Sequence, residues 1–345
     1  MIKGHGDDRS QYGKSTCADF SSNVWFGGTA PELIAHLQKN MQLIERYPEP
    51  DAAGLCRKIA GYHEVNSNQV LAFNGSVEAF YTIALAFRDV VSAILYPGFA
   101  EYEDACRLHK HQLSFFRKDE WQKSLNTRPA LFWFGNPNNP DGHIFEFQEI
   151  KHAIESFPDT VFIIDEAYAD FSPGFQSVIP LTKIFRNLIV VRSFTKCYAI
   201  PGLRLGYVVS SAPLAAKLAG FQQPWSVNAL AQEAGKFLLD TIVYNPVDAQ
   251  KLSNLSTELQ QAINQLDVFR VVPANTSFFL IEMNSGPVAG LKQFLLDEHG
   301  ILIRDASNFR GLDQKYFRIS TLSAEENQLL MVGLADWVTK FLENS

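Results

Sequence analysis

In the stretch VVRSFTKCYAIPGLRLGY, residues 190–207, Lys196 stands close behind Ser193 and ahead of Arg204, with Pro201-Gly202 between them. An amine, a hydroxyl, a guanidinium and a chain bend in this order suit pyridoxal phosphate (PLP). The amine condenses with the cofactor aldehyde, Ser193 and Arg204 donate to the phosphate dianion, and the bend brings both ends together. A bare S-x-x-K is more often a solvated lysine in a basic loop. The apolar strand before it and GLRLGY after it favour the site.

Such a lysine needs elements to position it. From about residue 50 onward, short apolar runs alternate with stretches of helical period, the pattern of helices covering both faces of a mostly parallel sheet. The expected strands are Val70–Phe73, Ala93–Tyr96, Ala130–Phe134, Val161–Ile164, Leu188–Val191 and Leu205–Val209. Each ends at a polar or glycine-rich group, and ligands in open α/β sheets collect at the carboxyl ends of strands. Those ends should therefore converge.

Gly75, Ser76 and Val77 lie where a strand gives way to a helix expected to run through Phe87, and the free amides there make a phosphate seat. An ordinary serine N-cap would look the same. Tyr102, early in the next helix, could lay its ring on a pyridine, or simply pack. Asn139, in the turn NPNNPDG, could bond the cofactor's phenolic oxygen, although turn chemistry alone also favours that composition. Asp165 follows the apolar run VFII, where an unpaired charge is costly, so a cationic partner is expected. A protonated pyridine nitrogen is such a partner, and Tyr168 could add a second bond to the phenolic oxygen. Magnesium on Asp165-Glu166 is the rival; no G-x-x-x-x-G-K-[ST] loop accompanies it, and no metal is expected.

Composition narrows the classes. The 345 residues, 46% hydrophobic, are enough for one large and one small domain. A net charge of -7 gives no nucleic-acid footprint. Cys17, Cys56, Cys106 and Cys197 lack C-x-x-C or zinc spacing, which fits free thiols in a reducing compartment. The polar N-terminus and the lack of a ~20-residue apolar run point to a cytoplasmic protein with no membrane span.

The order of motifs resembles the fold-type-I PLP enzymes of the aminotransferase class I/II superfamily. RYPEPDAAGL, FNGSVEAF, NPNNPDG, IIDEAYADF and SFTKCYAIPGLRLGY look like those of histidinol-phosphate aminotransferases. GHGDD, ADFSSN, PGFAEY, QQPWSVNALA and ILIRDASNFRGLDQKYFRIS look like those of the threonine-phosphate decarboxylases of cobalamin synthesis, which make aminopropanol phosphate. The resemblance implies an α/β fold, a mostly parallel seven-stranded sheet with helices on both faces, plus a smaller α+β C-terminal domain. The expected divisions are an N-terminal arm over 1–40, a PLP domain over 41–227 and a small domain over 228–345.

The resemblance further implies Lys196 as the cofactor-linked amine and Asp165 on the pyridine nitrogen. Asn139 and Tyr168 fall on the phenolic oxygen, and Ser76, Ser193 and Arg204 on the phosphate. Tyr47 would reach the phosphate in a neighbouring subunit, implying a homodimer with shared sites. Arg318 would grip the substrate carboxylate, for which its planar fork is suited. Arg304, His5, Gly6 and Asn23 would face the rest of a small phosphorylated amino-acid substrate.

Orientation then selects the reaction, because the Cα bond perpendicular to the cofactor ring is the one that breaks. A carboxylate held in plane by Arg318 gives transamination with 2-oxoglutarate; one turned out of plane by Arg304, Asn23 and His5 gives loss of carbon dioxide. Decarboxylation of L-threonine O-3-phosphate is the expected activity, with histidinol-phosphate-type transamination as the alternative. A PLP-binding regulator without turnover would need a DNA-binding segment, for which the chain leaves no room. Two departures from the usual pattern stand out: Asp141 in NPNNPDG, where relatives have threonine, adds negative charge near an anionic site, and VWFGG after Asn23 lacks the usual asparagine and proline. Tyr168 leans toward the aminotransferases, since the decarboxylases can carry phenylalanine there.

Overall fold

The computed structural model describes residues 16–241, 247–284 and 286–343. The chain begins with β1 (Ala18–Asp19), α1 (Pro31–Lys39) and α2 (Ala53–Tyr62). It then alternates β2 (Val70–Phe73), α3 (Ser76–Ala86), β3 (Val91–Tyr96), α4 (Ala100–Leu108), β4 (Gln112–Arg117), α5 (Trp121–Leu125), β5 (Leu131–Gly135), α6 (Phe147–Ser156), β6 (Val161–Asp165), β7 (Leu188–Ser193) and β8 (Gly206–Ser210). These strands form one seven-stranded sheet in the order β2-β8-β7-β6-β5-β3-β4, parallel except where β8 runs against both of its neighbours.

The central strands β5 to β8 are buried almost throughout, as apolar runs covered on both faces must be. Two cores result. One, with Phe132, Phe134, Phe162 and Leu188, lies on the face carrying α2; the other, with Phe80, Trp133, Ile163 and Ile189, lies on the face carrying α3 and α4. All six expected strands form, within two residues at either end. The edge strand β4 was not expected: QLSFFR is half-buried, with no continuous apolar run to mark it.

The remaining elements are α7 (Ala212–Ala219), α8 (Ala229–Asp240), α9 (Ala249–Asn264), β9 (Phe269–Val271), β10 (Phe278–Met283), α10 (Val288–His299), β11 (Ile301–Leu302), β12 (Arg304–Asp305), β13 (Tyr316–Ser320) and α11 (Ala324–Glu343). An antiparallel sheet, β12-β13-β10-β9, packs with α9, α10 and α11 around Phe279, Ile281, Leu295 and Phe317. β1 joins this small domain by pairing in parallel with β11. α8, by contrast, places Ala231, Ala234 and Leu238 in the large-sheet core beside Leu33 of α1 and Leu55 of α2. We therefore propose that the domain boundary follows α8 rather than preceding it at residue 228, and that the N-terminal segment serves both domains. Among the described residues, no helix is long and apolar enough to cross a membrane.

Candidate active site

The carboxyl ends of β5, β6 and β7 are aligned by register, Gly135 beside Asp165 and Asp165 beside Val191. The end of β2 meets the start of β8, where Gly206 pairs with both Phe73 and Ser193. Antiparallel β8 thus returns the chain after Lys196 to the end of β2.

At that crossing, side-chain volume is excluded. Gly75 has φ 84°, a backbone L residues rarely adopt, and a Cβ there would strike the Arg204 guanidinium. A Cβ on Gly206 would lie 2.5 Å from the Ser76 amide nitrogen. Ser76 and Val77 open the 11-residue α3, and the structure shows no side-chain cap on it. The first-turn amides of such a helix have no intrahelical partner and its dipole end is positive. Ser193 Oγ, 2.8 Å from Thr195 Oγ1, lies one strand over. Arg204 itself has φ 58° and donates to the Pro201 carbonyl at 3.0 Å, which turns its side chain back over the bend. An arginine, two hydroxyl-bearing residues and a helix N-terminus in a cradle kept clear by two glycines fit a phosphate dianion.

Asp165 closes β6. Its Oδ2 accepts from the Tyr102 hydroxyl at 2.6 Å and its Oδ1 from the Ala167 amide at 3.0 Å. Burial pushes its carboxyl up to about 6; the Tyr102 and Ala167 hydrogen bonds and the charges of Lys196 and Arg192 pull the other way. Tyr102 is itself buried, its ring stacked on Trp133 with centroids 6.1 Å apart. Lys196 is half-buried, and its Nζ lies 6.0 Å from the centroid of the Tyr168 ring, which packs edge-on against Phe278 of the small domain. The lysine loop is clasped by the N-terminal segment: the Trp25 amide donates to the Lys196 carbonyl at 3.0 Å, and Thr29 Oγ1 to the Ala199 carbonyl at 2.6 Å.

The small domain supplies the opposite wall. Arg318, buried, donates to Asn139 Oδ1 at 2.6 Å and to the Ser21 carbonyl at 2.6 Å, while its Nε finds no partner among the described residues. Burial pulls its guanidinium down to about 10, and the neighbouring Arg304 charge adds to this. Asn23 accepts from Ser320 Oγ at 2.9 Å, and its buried Nδ2 has no partner among the described residues. Two orphaned donors in one buried region suit an anion, for which an unsatisfied N–H is otherwise costly. Arg304 donates to Asn308 Oδ1 at 2.7 Å.

Tyr47 stands apart from these groups, 86% exposed, its ring 5.5 Å from that of Trp225. His5 and Gly6 lie outside the described residues. Asp141 is not a free negative charge beside the site. It is buried, its Oδ1 accepts from Asn138 Nδ2 at 2.7 Å, and Lys118 pairs with its Oδ2 at 2.6 Å.

Sequence reasoning missed a layer of charge behind the site. Arg192, on β7, donates to Glu166 Oε2 at 3.2 Å and to both oxygens of Asp170 at 3.1 Å. Ser177 and the Val178 amide complete the partners of Glu166. The signal was available: an arginine inside the apolar run LIVVRS must find carboxylates when buried, and DEAYADF offers two beside Asp165.

Comparison with known proteins agrees with this architecture. The model of the family "aminotransferase class I and II" matches residues 15–334. Threonine-phosphate decarboxylase of Salmonella typhimurium is 34% identical over 336 residues, covering 93% of this chain and 91% of that protein. The crystal structure of L-threonine-O-3-phosphate decarboxylase from Porphyromonas gingivalis superposes with a TM-score of 0.90 at 40% identity, covering 93% of this chain and 99% of the other. A histidinol-phosphate aminotransferase of Caldanaerobacter subterraneus is 29% identical, covering 88% of this chain and 90% of that protein. With the family match spanning nearly all of the chain, and the lysine, carboxylate and glycine-cleared cradle gathered at one end of the sheet's strands, the chain belongs to the aminotransferase class I and II family.

Proposed function

We propose that this protein is a PLP-dependent carboxy-lyase that converts L-threonine O-3-phosphate to aminopropanol phosphate, a step toward cobalamin. The observation that supports the reading is the pairing of a glycine-cleared anion cradle with a second buried anion site, the Arg318 and Asn23 donors that have no partner among the described residues, in a chain 40% identical to a solved enzyme of that name.

Within it, Arg204, Ser193, Ser76 and the amides of Gly75, Ser76 and Val77 hold the cofactor phosphate. Asp165 would hold a proton on the ring nitrogen, because its buried carboxylate favours a cationic partner. Tyr102 would pack against the cofactor, and Asn139 and Tyr168 would bond its phenolic oxygen. When bound, PLP supplies the electron sink that accepts the pair left behind as a Cα bond breaks. Arg318, Arg304 and Asn23 would fix the substrate carboxylate, and its orientation would select which Cα bond breaks. Lys196 Nζ would be the group that returns a proton to Cα. The buried Tyr168, beside Lys196 and packed on Phe278, would exclude water from that side of the amine.

The substrate is a small phosphorylated amino acid, and the protein acts as a cytoplasmic homodimer. Supporting the dimer is a run of exposed apolar groups, Met41, Ile44, Tyr47 and Trp225, at 45%, 64%, 86% and 50% exposure, more than scattered surface residues explain. Transamination is the second reading, favoured by the tyrosine at position 168, close to Lys196.

Purified protein given O-phospho-L-threonine without any oxo-acid should release carbon dioxide in proportion to bound PLP. Formation of glutamate from histidinol phosphate and 2-oxoglutarate, with no carbon dioxide from phosphothreonine, would establish the aminotransferase instead.

A further inference from the structure

The substrate wall and the cofactor wall belong to different domains, yet one ion pair ties them together. Arg310, on the small-domain loop between β12 and β13, donates from Nε to Glu103 Oε2 at 3.0 Å and from Nη2 to Glu103 Oε1 at 2.8 Å. Glu103 lies on α4, next to Tyr102, and its side chain is only 9% exposed. Arg107, one turn on, donates to the same carboxylate at 2.8 Å, and the two arginines hold Glu103 below the usual carboxylate range against the opposing effect of burial. The Arg310 guanidinium also stacks 3.8 Å above the Phe115 ring on β4.

The rest of the loop is fitted to the same place. Gly311, at φ 82°, sits so close to the Tyr96 ring that a Cβ would lie 2.5 Å from it. Asn308 and Phe309, which immediately precede Arg310, both contact Arg304, by a hydrogen bond of 2.7 Å and by a ring 5.3 Å from its guanidinium carbon. The chain of contacts is therefore continuous: Tyr102 and Glu103 on one helix turn, Arg310 across the domain boundary, and Asn308 to Arg304 on the substrate side.

We infer that Glu103 and Arg310 are a positioning pair that sets the small domain's Arg304 loop against the helix bearing Tyr102, and so tunes substrate binding without touching substrate or cofactor. A two-pronged arginine–carboxylate contact is suited to this, because it fixes orientation as well as distance. The inference rests on the PLP-lyase reading for its kinetic consequence but not for its structural one.

The test uses full-length protein loaded with PLP, in wild type, Arg310→Met, Glu103→Gln and the double variant. Arg310 is 41% exposed, so these proteins should fold. Amide hydrogen exchange over residues 301–312 should quicken about tenfold in each single variant, and no further in the double, as expected for partners in one interaction. KM for O-phospho-L-threonine should rise about tenfold with kcat changed less than about threefold, while the visible absorbance of bound PLP stays as in wild type. Unchanged exchange in Arg310→Met would mean that stem packing on Phe115 holds the loop, and overturns the pair's role. Additive effects in the double variant, or a change in PLP absorbance matching the change in KM, overturn it as well. If wild type releases no carbon dioxide, the functional reading fails while the exchange result still decides the pair.

Discussion

Tyr102 donates its phenolic proton to Asp165 at 2.6 Å, so the ring proposed to pack against the cofactor is bonded to the carboxylate proposed to pair with its nitrogen. The bond lowers the carboxyl's proton affinity against the larger opposite effect of burial, which leaves it near 6. A carboxyl raised on folding adds stability fully below its unfolded value near 4 and loses that contribution as pH rises through about 6. Cofactor binding needs the ionised form, so PLP affinity should strengthen over that window. Tyr102→Phe removes a stabiliser of the carboxylate and should move the midpoint of this rise to higher pH. Titrating PLP by absorbance from pH 5 to 8 reads it; an unmoved or lowered midpoint would refute the coupling.

The cradle gives a steric prediction. Gly75→Ala adds a Cβ against the Arg204 guanidinium at φ 84° and ψ 158°, a region essentially reserved for glycine, which costs about 1–3 kcal/mol in backbone strain alone. If Arg204 yields, the phosphate loses its charged donor, and PLP affinity should fall at least about tenfold with the fold retained. Lys196→Ala, by contrast, should keep phosphate affinity and lose the visible absorbance of lysine-linked pyridoxal. Survival of that band would mean another lysine carries the cofactor.

Much of this site could be read from residue order because strand ends in an α/β sheet must lie together. Lys196, Asp165, Ser193 and Ser76 each follow an apolar run, and the register of β2, β8, β7 and β6 brings those ends side by side. What residue order could not carry is contact across the two domains. Arg318 bonds Asn139 from 179 positions away, and nothing local to either residue marks that pairing. Asp141 makes the same point in reverse: it looks like a misplaced charge until Lys118, 23 residues earlier, is seen to neutralise it.

That neutralisation can be measured. Lys118→Ala leaves the buried Asp141 with only hydrogen bonds, and should destabilise the fold by about 1–3 kcal/mol, less than for a fully buried pair because Lys118 is 36% exposed. Asp141→Asn made on the Lys118→Ala background should recover part of the loss, since a neutral amide needs no cation. Urea unfolding of the single and double variants settles it; a further loss in the double variant would show that the charge pairing is not what stabilises the turn.

His63 offers an acid-stability prediction. Burial and the nearby Arg192 charge depress its imidazolium to about 3, and its Nε2 lies 2.8 Å from the Tyr207 hydroxyl. The unfolded chain takes up this proton below about pH 6.5 and the folded chain does not, so the stabilising contribution of neutral His63 is complete above 6.5 and lost as pH falls toward 3. His63→Gln keeps an acceptor for Tyr207 but cannot titrate. Relative to wild type, its stability should improve steadily from pH 7 to pH 4; parallel curves would show that His63 is not the group responsible.

Tyr47 yields the sharpest test of a shared site, because it is exposed on the protomer and proposed to act on another. Lys196→Ala lacks the amine but offers its partner an intact Tyr47, whereas Tyr47→Ala has the amine and needs that tyrosine from outside. Each homodimer should be impaired, the first completely and the second through weakened phosphate binding. In a mixed dimer, the site built on the Tyr47→Ala protomer receives Lys196 from its own chain and Tyr47 from the other, and is whole. Unfolding and refolding the two variants together should then restore up to one working site per mixed dimer, with PLP affinity at that site near wild type. Recovery no greater than the sum of the separately refolded variants would place Tyr47 in its own protomer's site or in none.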